Sequence, residues 1–192
     1  RRHVITSGSE HHAGREACRQ LEREGFEVTW LPPTRAGLVE PRRVAEALRP
    51  DTALVSLIHA NNETGVLNDI DAVGAACRER EVALHVDAVQ SAGKLPIDVA
   101  NSAVALLSFC AHKLGGPKGV GALYVRRRPR PALQPLQFGG SHEGGLRPGT
   151  GSSSRSLKSS ATGEPDSDLA AVPCSVAETG RVPDSIAGVS AP

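Results

Sequence analysis

The sequence predicts an α/β domain built on a mostly parallel, mixed sheet. Three observations carry that expectation. Segments with helical spacing alternate with short apolar runs. One run, Thr52–Ile58, is apolar almost without interruption, as a strand covered on both faces should be. The last run, Gly119–Val125, begins only nine residues after Phe109. A parallel crossover needs a dozen or more, so this strand is expected to run antiparallel to its predecessor.

Val4–Thr6 is a short apolar strand. Glu10–Glu24 puts Ala13, Ala17, Cys18 and Leu21 on one helical face, and Gly25 stops it. Phe26–Leu31 reads as a strand closed by Pro32-Pro33. Pro41–Arg49 begins with proline in the first helical turn and carries Val44, Ala45 and Leu48 on one face. After Thr52–Ile58, Asp69–Arg80 is a helix with Asn68 expected as its N-cap. Glu81 follows where a left-handed residue, normally glycine, would end that helix. Val82–Val86 and Val104–Phe109 complete the parallel strands. Arg126, Arg127, Arg128 and Arg130 read as the solvated end of an edge strand. The pattern stops at Thr150. Residues 151–192 are rich in serine and proline, without aromatics or apolar periodicity, and are expected to be a disordered or loosely attached tail. A shifted reading frame or an alternative exon would explain so abrupt a change.

Composition narrows the function classes. The 192 residues carry a net charge of +1, which gives no electrostatic footprint for nucleic acid or an anionic membrane. No apolar run approaches the length of a membrane helix, and no secretion signal opens the chain. Cys18, Cys77, Cys110 and Cys174 have no C-x-x-C spacing, so a reduced, cytoplasmic setting is the expectation. The histidines have no metal-ligand spacing, and no metal is assigned. Methionine is absent, as expected of a fragment or a trimmed product.

In open α/β sheets, ligands bind beyond the carboxyl ends of the strands. Three strand ends here deliver chemistry to one rim. Thr52–Ile58 is followed by His59-Ala60-Asn61-Asn62-Glu63-Thr64-Gly65, and Val82–Val86 by Asp87-Ala88-Val89-Gln90. Val104–Phe109 is followed by Cys110-Ala111-His112-Lys113 and then Leu114-Gly115-Gly116-Pro117-Lys118-Gly119. An amide, a carboxylate and a lysine on one rim are the set a pyridoxal phosphate site needs: lysine for the Schiff base, carboxylate to keep the pyridinium nitrogen protonated.

These segments, with His85-Val86 before Asp87 and Ser91-Ala92-Gly93-Lys94 after Gln90, closely resemble the cysteine desulfurases. Those enzymes are NifS- and IscS-like and are grouped with selenocysteine lyases in the class V aminotransferase fold. Ser9-Glu10-His11-His12, Phe138-Gly139-Gly140-Ser141-His142-Glu143 and Arg147-Pro148-Gly149-Thr150 fit in the same order. The resemblance runs from about Val4 to Thr150. It implies that residues 1–150 are part of a fold type I, pyridoxal-phosphate-binding large domain. It also implies removal of sulfur from L-cysteine, giving alanine and an enzyme persulfide for iron–sulfur and thio-cofactor assembly. A homodimer and sulfur-acceptor scaffold proteins would be the partners.

By resemblance, Lys113 binds the cofactor and shuttles the proton at the substrate α-carbon; a lone lysine would be read as a solvated surface group. Asp87 faces the pyridinium nitrogen; by itself it is also a sound cap after a strand. His11 lies over the cofactor ring and moves protons, where a plain reading is a helix cap. Asn62 and Gln90 match residues near the ring hydroxyl and the imine, and are otherwise turn residues. His112 and Cys110 match phosphate contacts, as does Thr150, lent by the partner subunit. Serine or threonine is expected at Cys110, so a thiol there loosens the phosphate grip; the alternative is a small buried cysteine. The family's phosphate-binding turn and its persulfide-forming cysteine loop have no match in this sequence, and Cys174 lies in a different context. The sequence therefore also fits an inactive truncated fragment, and it leaves selenocysteine lyase or another class V enzyme open.

Overall fold

The computed structural model describes residues 1–136, 138–140, 145–146 and, as backbone, 169–172. The elements are β1 (His3–Ser7), α1 (His12–Arg23), β2 (Glu27–Leu31), α2 (Pro41–Ala47), β3 (Thr52–Ile58), α3 (Ile70–Glu79), β4 (Ala83–Asp87), β5 (Leu106–Cys110), β6 (Gly121–Val125) and β7 (Leu169–Val172). A 3₁₀ turn, Ala111–Leu114, follows β5.

The seven strands lie in the order β2-β1-β3-β4-β5-β6-β7. The first five are mutually parallel, and β5–β6 and β6–β7 are antiparallel. The short connection after Phe109 thus gives the reversal expected from its length. The tail differs from expectation at one place. Leu169-Ala170-Ala171-Val172, too short to show any period, pairs with β6, whose outer N–H and C=O groups would otherwise lack partners. The remaining residues of 151–192 lie outside the described residues.

The chain leaves β1 in one direction to form β2, then crosses back to form β3 on the other side. Right-handed connections therefore send α1 to one face of the sheet and α2 and α3 to the other. The faces have separate cores. Val4, Cys18, Leu21 and Phe26 pack under α1. Ile5, Val44, Val55, Leu57, Val73, Leu84 and Val86 form the larger core under α2 and α3.

Local differences from the sequence expectations have physical causes. Asp69, not Asn68, caps α3, accepting the Ala72 N–H at 2.9 Å. Asn68 is buried instead and ties the loop before α2 to the end of β3, accepting from Val39 N–H at 2.9 Å and donating to the Ile58 carbonyl at 2.8 Å. Glu81 has φ 52°, the left-handed turn anticipated after α3. Arg126 departs from a solvated charge run: it is half-buried and donates to the carbonyls of Val104, Ser102 and Val99, tying β6 to the loop before β5. Arg127, Arg128 and Arg130 are exposed.

Candidate active site

The strand order reverses between β1 and β3, and this switch point is where the fold class places ligands. Two loops meet there. In the β1–α1 loop, Ser7 Oγ lies 2.6 Å from Ser9 Oγ and accepts the Ser9 N–H at 3.0 Å. In the loop after β3, Asn61 Nδ2 donates to the Ser9 carbonyl at 2.8 Å, clipping the two together. Asn61 Oδ1 accepts from Glu63 N–H, Thr64 N–H and the Thr64 hydroxyl, closing the Asn-Asn-Glu-Thr-Gly turn. Asn61 is thus the organising amide, and Asn62 is left exposed on the turn.

His11 caps α1, its Nδ1 accepting the Ala13 N–H at 3.2 Å, and is exposed. Glu10, just before it, turns inward and is only 6% exposed. Asp87 ends β4, is half-buried, and accepts the Val89 N–H at 2.9 Å. That bond is the turn-forming role foreseen for an aspartate after a strand, and Asp87 still stands on the rim. Gln90 follows in the same turn, half-buried. Beneath it, the Ser91 hydroxyl lies 3.0 Å from His59 Nδ1.

Two residues before Asp87, and so on the same sheet face, His85 sits between neighbouring strands. Its Nδ1 is 2.8 Å from Ser56 Oγ on β3 and its Nε2 3.1 Å from Ser108 Oγ on β5. Burial pushes its imidazole below the usual histidine value, against the pull of Asp87. This polar line across three strands escaped the sequence reading, which treated His85 as an unassigned histidine. The only signal was its position two residues before Asp87.

At the end of β5, Cys110 is buried and its Sγ lies 3.8 Å from His112 Nε2. His112 and Lys113 are exposed on the 3₁₀ turn, which Gly115 ends in the left-handed conformation (φ 79°). The structure therefore sets Asp87 and Cys110 on the last residues of β4 and β5, and His11, Asn62, Gln90, His112 and Lys113 on the turns that follow the carboxyl ends of parallel strands. Thr150 and Cys174 lie outside the described residues. The three described cysteines are all buried. Burial raises the Cys18 thiol to about 11 and the Cys77 thiol to about 12, so neither offers a thiolate nucleophile. Among the described residues, no group of three or more His, Cys, Asp or Glu could hold a metal ion, and no helix is long and apolar enough to cross a membrane.

Comparison with known proteins gives the same direction throughout. Residues 1–154 match the family model for aminotransferase class-V. A cysteine desulfurase IscS of Vibrio campbellii is 59% identical over 149 residues, which is 78% of this chain and 37% of that protein. The IscS of Shewanella loihica is 57% identical over the same share. Among solved structures, one described as SspA in complex with cysteine superposes with a TM-score of 0.75 at 45% identity, covering 78% of this chain and 43% of that one. DndA from Streptomyces lividans gives 0.73 at 46% identity, with the same coverage. The chain thus spans little more than a third of the length of these curated relatives, 37%.

Proposed function

The chain belongs to the aminotransferase class-V family, and on that premise we propose that it is part of a pyridoxal-phosphate-dependent cysteine desulfurase acting on L-cysteine. The observation that carries the reading is the placement of Asp87 and Lys113. Asp87 ends β4 and Lys113 follows the adjacent parallel strand β5, at the same end of the sheet. The donor set fits the cofactor: an exposed ammonium, a carboxylate on a strand end, amides on two neighbouring turns, and His112 with Cys110 beside the lysine.

When bound, the cofactor supplies an electron-withdrawing ring that stabilises negative charge at the substrate α-carbon. Lys113 would anchor it covalently and move the proton at that carbon. Asp87 would keep the ring nitrogen protonated, since a carboxylate within ~4–6 Å favours the charged form. Asn62 and Gln90 would hydrogen-bond the polar substituents of the ring, and His11 would contact the ring. His112 and Cys110 would hold the phosphate, with Thr150 contributed by a second subunit. Sulfur transfer, the homodimer, sulfur-acceptor proteins and a cytoplasmic setting belong to the same proposal and follow the named function of the relatives.

Borohydride trapping of the chain incubated with pyridoxal phosphate, followed by peptide mapping, tests the reading. The label is expected on Lys113. Label scattered over Lys94, Lys118 and Lys158, or none, overturns the claim that this chain forms the site. Sulfide and alanine release, assayed against selenide release and against amino transfer to a keto acid, separates the desulfurase from the lyase and transaminase alternatives.

A further inference from the structure

Glu10 is not used in the function proposed above, yet it is the most conspicuous polar group at the switch point. It precedes the α1 cap, is 6% exposed, and its Oε1 has no hydrogen-bond partner. A buried polar atom left without a partner is rare in a folded protein. A carboxylate so placed is costly, and a neutral carboxyl far less so.

Its surroundings decide which form it takes. From β3, the Ile58 backbone N–H favours the charged form. From β4, the Asp87 carboxyl opposes a second negative charge. On the α1 side, the nearby titratable group is the buried Cys18 thiol, which Glu10 itself helps to keep protonated. Desolvation is the largest influence, and together these push the Glu10 carboxyl up to about 8. Asp87 differs in kind: it is half-buried and already accepts a backbone N–H.

We propose that the buried, unpartnered Glu10 carboxyl is held in its neutral, protonated form beside Asp87. Glu10 is then a positioning residue in the electrostatic sense. It supplies bulk and polarity beside the rim without adding a negative charge. Any role toward the cofactor ring rests on the function proposed above; the protonation of Glu10 does not.

The test is a carbon-13 NMR titration of the 192-residue chain with side-chain-labelled glutamate, without cofactor. One glutamate resonance is expected to keep its protonated shift at pH 7 and to titrate near pH 8. It should be missing in Glu10→Gln. In Asp87→Asn its midpoint should fall by about half a pH unit or more, because a neighbouring like charge has been removed. Titration of every glutamate below pH 6 overturns the proposal. An unchanged midpoint in Asp87→Asn would uphold the protonation of Glu10 and assign it to burial alone. Should Glu10→Gln fail to fold, the wild-type curve and Asp87→Asn still decide. Borohydride labelling away from Lys113 would defeat the proposed function and leave this titration untouched.

Discussion

The two ends of the parallel sheet treat polar groups in opposite ways. At the amino ends, buried His3 bridges three strands: Nδ1 lies 2.8 Å from Thr52 Oγ1 and Nε2 2.8 Å from Thr29 Oγ1. Thr52 Oγ1 also accepts the Arg49 N–H at 2.8 Å, so its hydroxyl proton is free to go to Nδ1. Nε2–H then donates to Thr29, and every atom of the bridge is served. Around it, Arg49 pairs with both Glu27 and Asp51, and Arg1 reaches the carbonyls of Glu81 and Thr52. At the carboxyl ends, Lys113, His11 and Asn62 are exposed, and Glu10 keeps an orphaned oxygen in the interior. The His3 bridge is saturated, whereas Glu10 Oε1 at the opposite end has no partner. A second buried oxygen without a partner, Glu24 Oε2, lies just before β2 at the amino ends, so an orphaned atom by itself marks neither end.

The sharpest way to break the comparison is to exchange the consequences of mutation between the two ends. On the function proposed above, Lys113→Ala should lower cysteine turnover by about 1000-fold or more, since covalent anchoring and proton transfer would be lost together. Its thermal midpoint should barely move, because exposed substitutions away from special features stay within about 0.5 kcal/mol. Turnover that survives would remove Lys113 from the site. His3→Val should do the reverse. It leaves Thr29 without its bridge and should destabilise the chain by about 2–3 kcal/mol, read from urea unfolding. Cofactor labelling at Lys113 should persist where the variant is folded.

Acid and alkali should discriminate the two ends as well. Burial, aided by the Arg49 charge, holds the His3 imidazole below its ordinary value of 6.5. Its contribution to stability is complete above that pH and declines as pH falls through the lowered native value. Glu10 has the opposite sign. Raised from 4.5 to about 8, it stabilises fully below pH 4.5 and loses that contribution as pH rises through about 8. Unfolding free energies across pH 4–9 should therefore decline less on the acid side in His3→Val, where the lowered His59 and His85 keep part of that slope, and less on the alkaline side in Glu10→Gln. One slope vanishing in both variants would mean that the two ends are not separate systems.

Much of this architecture can be read from order along the chain. Thr52–Ile58 is apolar without period, and it is an interior strand with neighbours on both sides. The nine residues between Phe109 and Gly119 are too few for a crossover, and β6 is antiparallel. The strand-end motifs point to the rim because ends of parallel strands must share a side. The rest depends on contacts between residues distant in sequence. His3 meets Thr52 across 49 positions, and Asn61 meets Ser9 across 52. Glu10 looks like any helix-start acid until the fold turns it inward. Asn68 and Arg126 were misplaced for the same reason. A cap and a solvated arginine are local expectations, and each was displaced by a backbone carbonyl that only the folded sheet brings near.

The smallest expected effect tests whether the holding end can be improved without touching the working end. Glu81 ends α3 at φ 52°, a conformation that side chains with a Cβ adopt at a cost. Its carbonyl accepts from Arg1 at 2.8 Å, a bond made by the backbone that any residue would keep. Its side chain is exposed and makes no buried contact that glycine would forfeit. Glu81→Gly should therefore stabilise the chain by up to about 1 kcal/mol, partly offset by the greater freedom of glycine in the unfolded chain. Urea midpoints at equal slope would show the gain, and borohydride labelling should be unchanged. A loss of stability would mean that the Glu81 side chain contributes to the polar framework at the amino ends. A change in labelling would mean that strain in this turn is transmitted along β4 to Asp87.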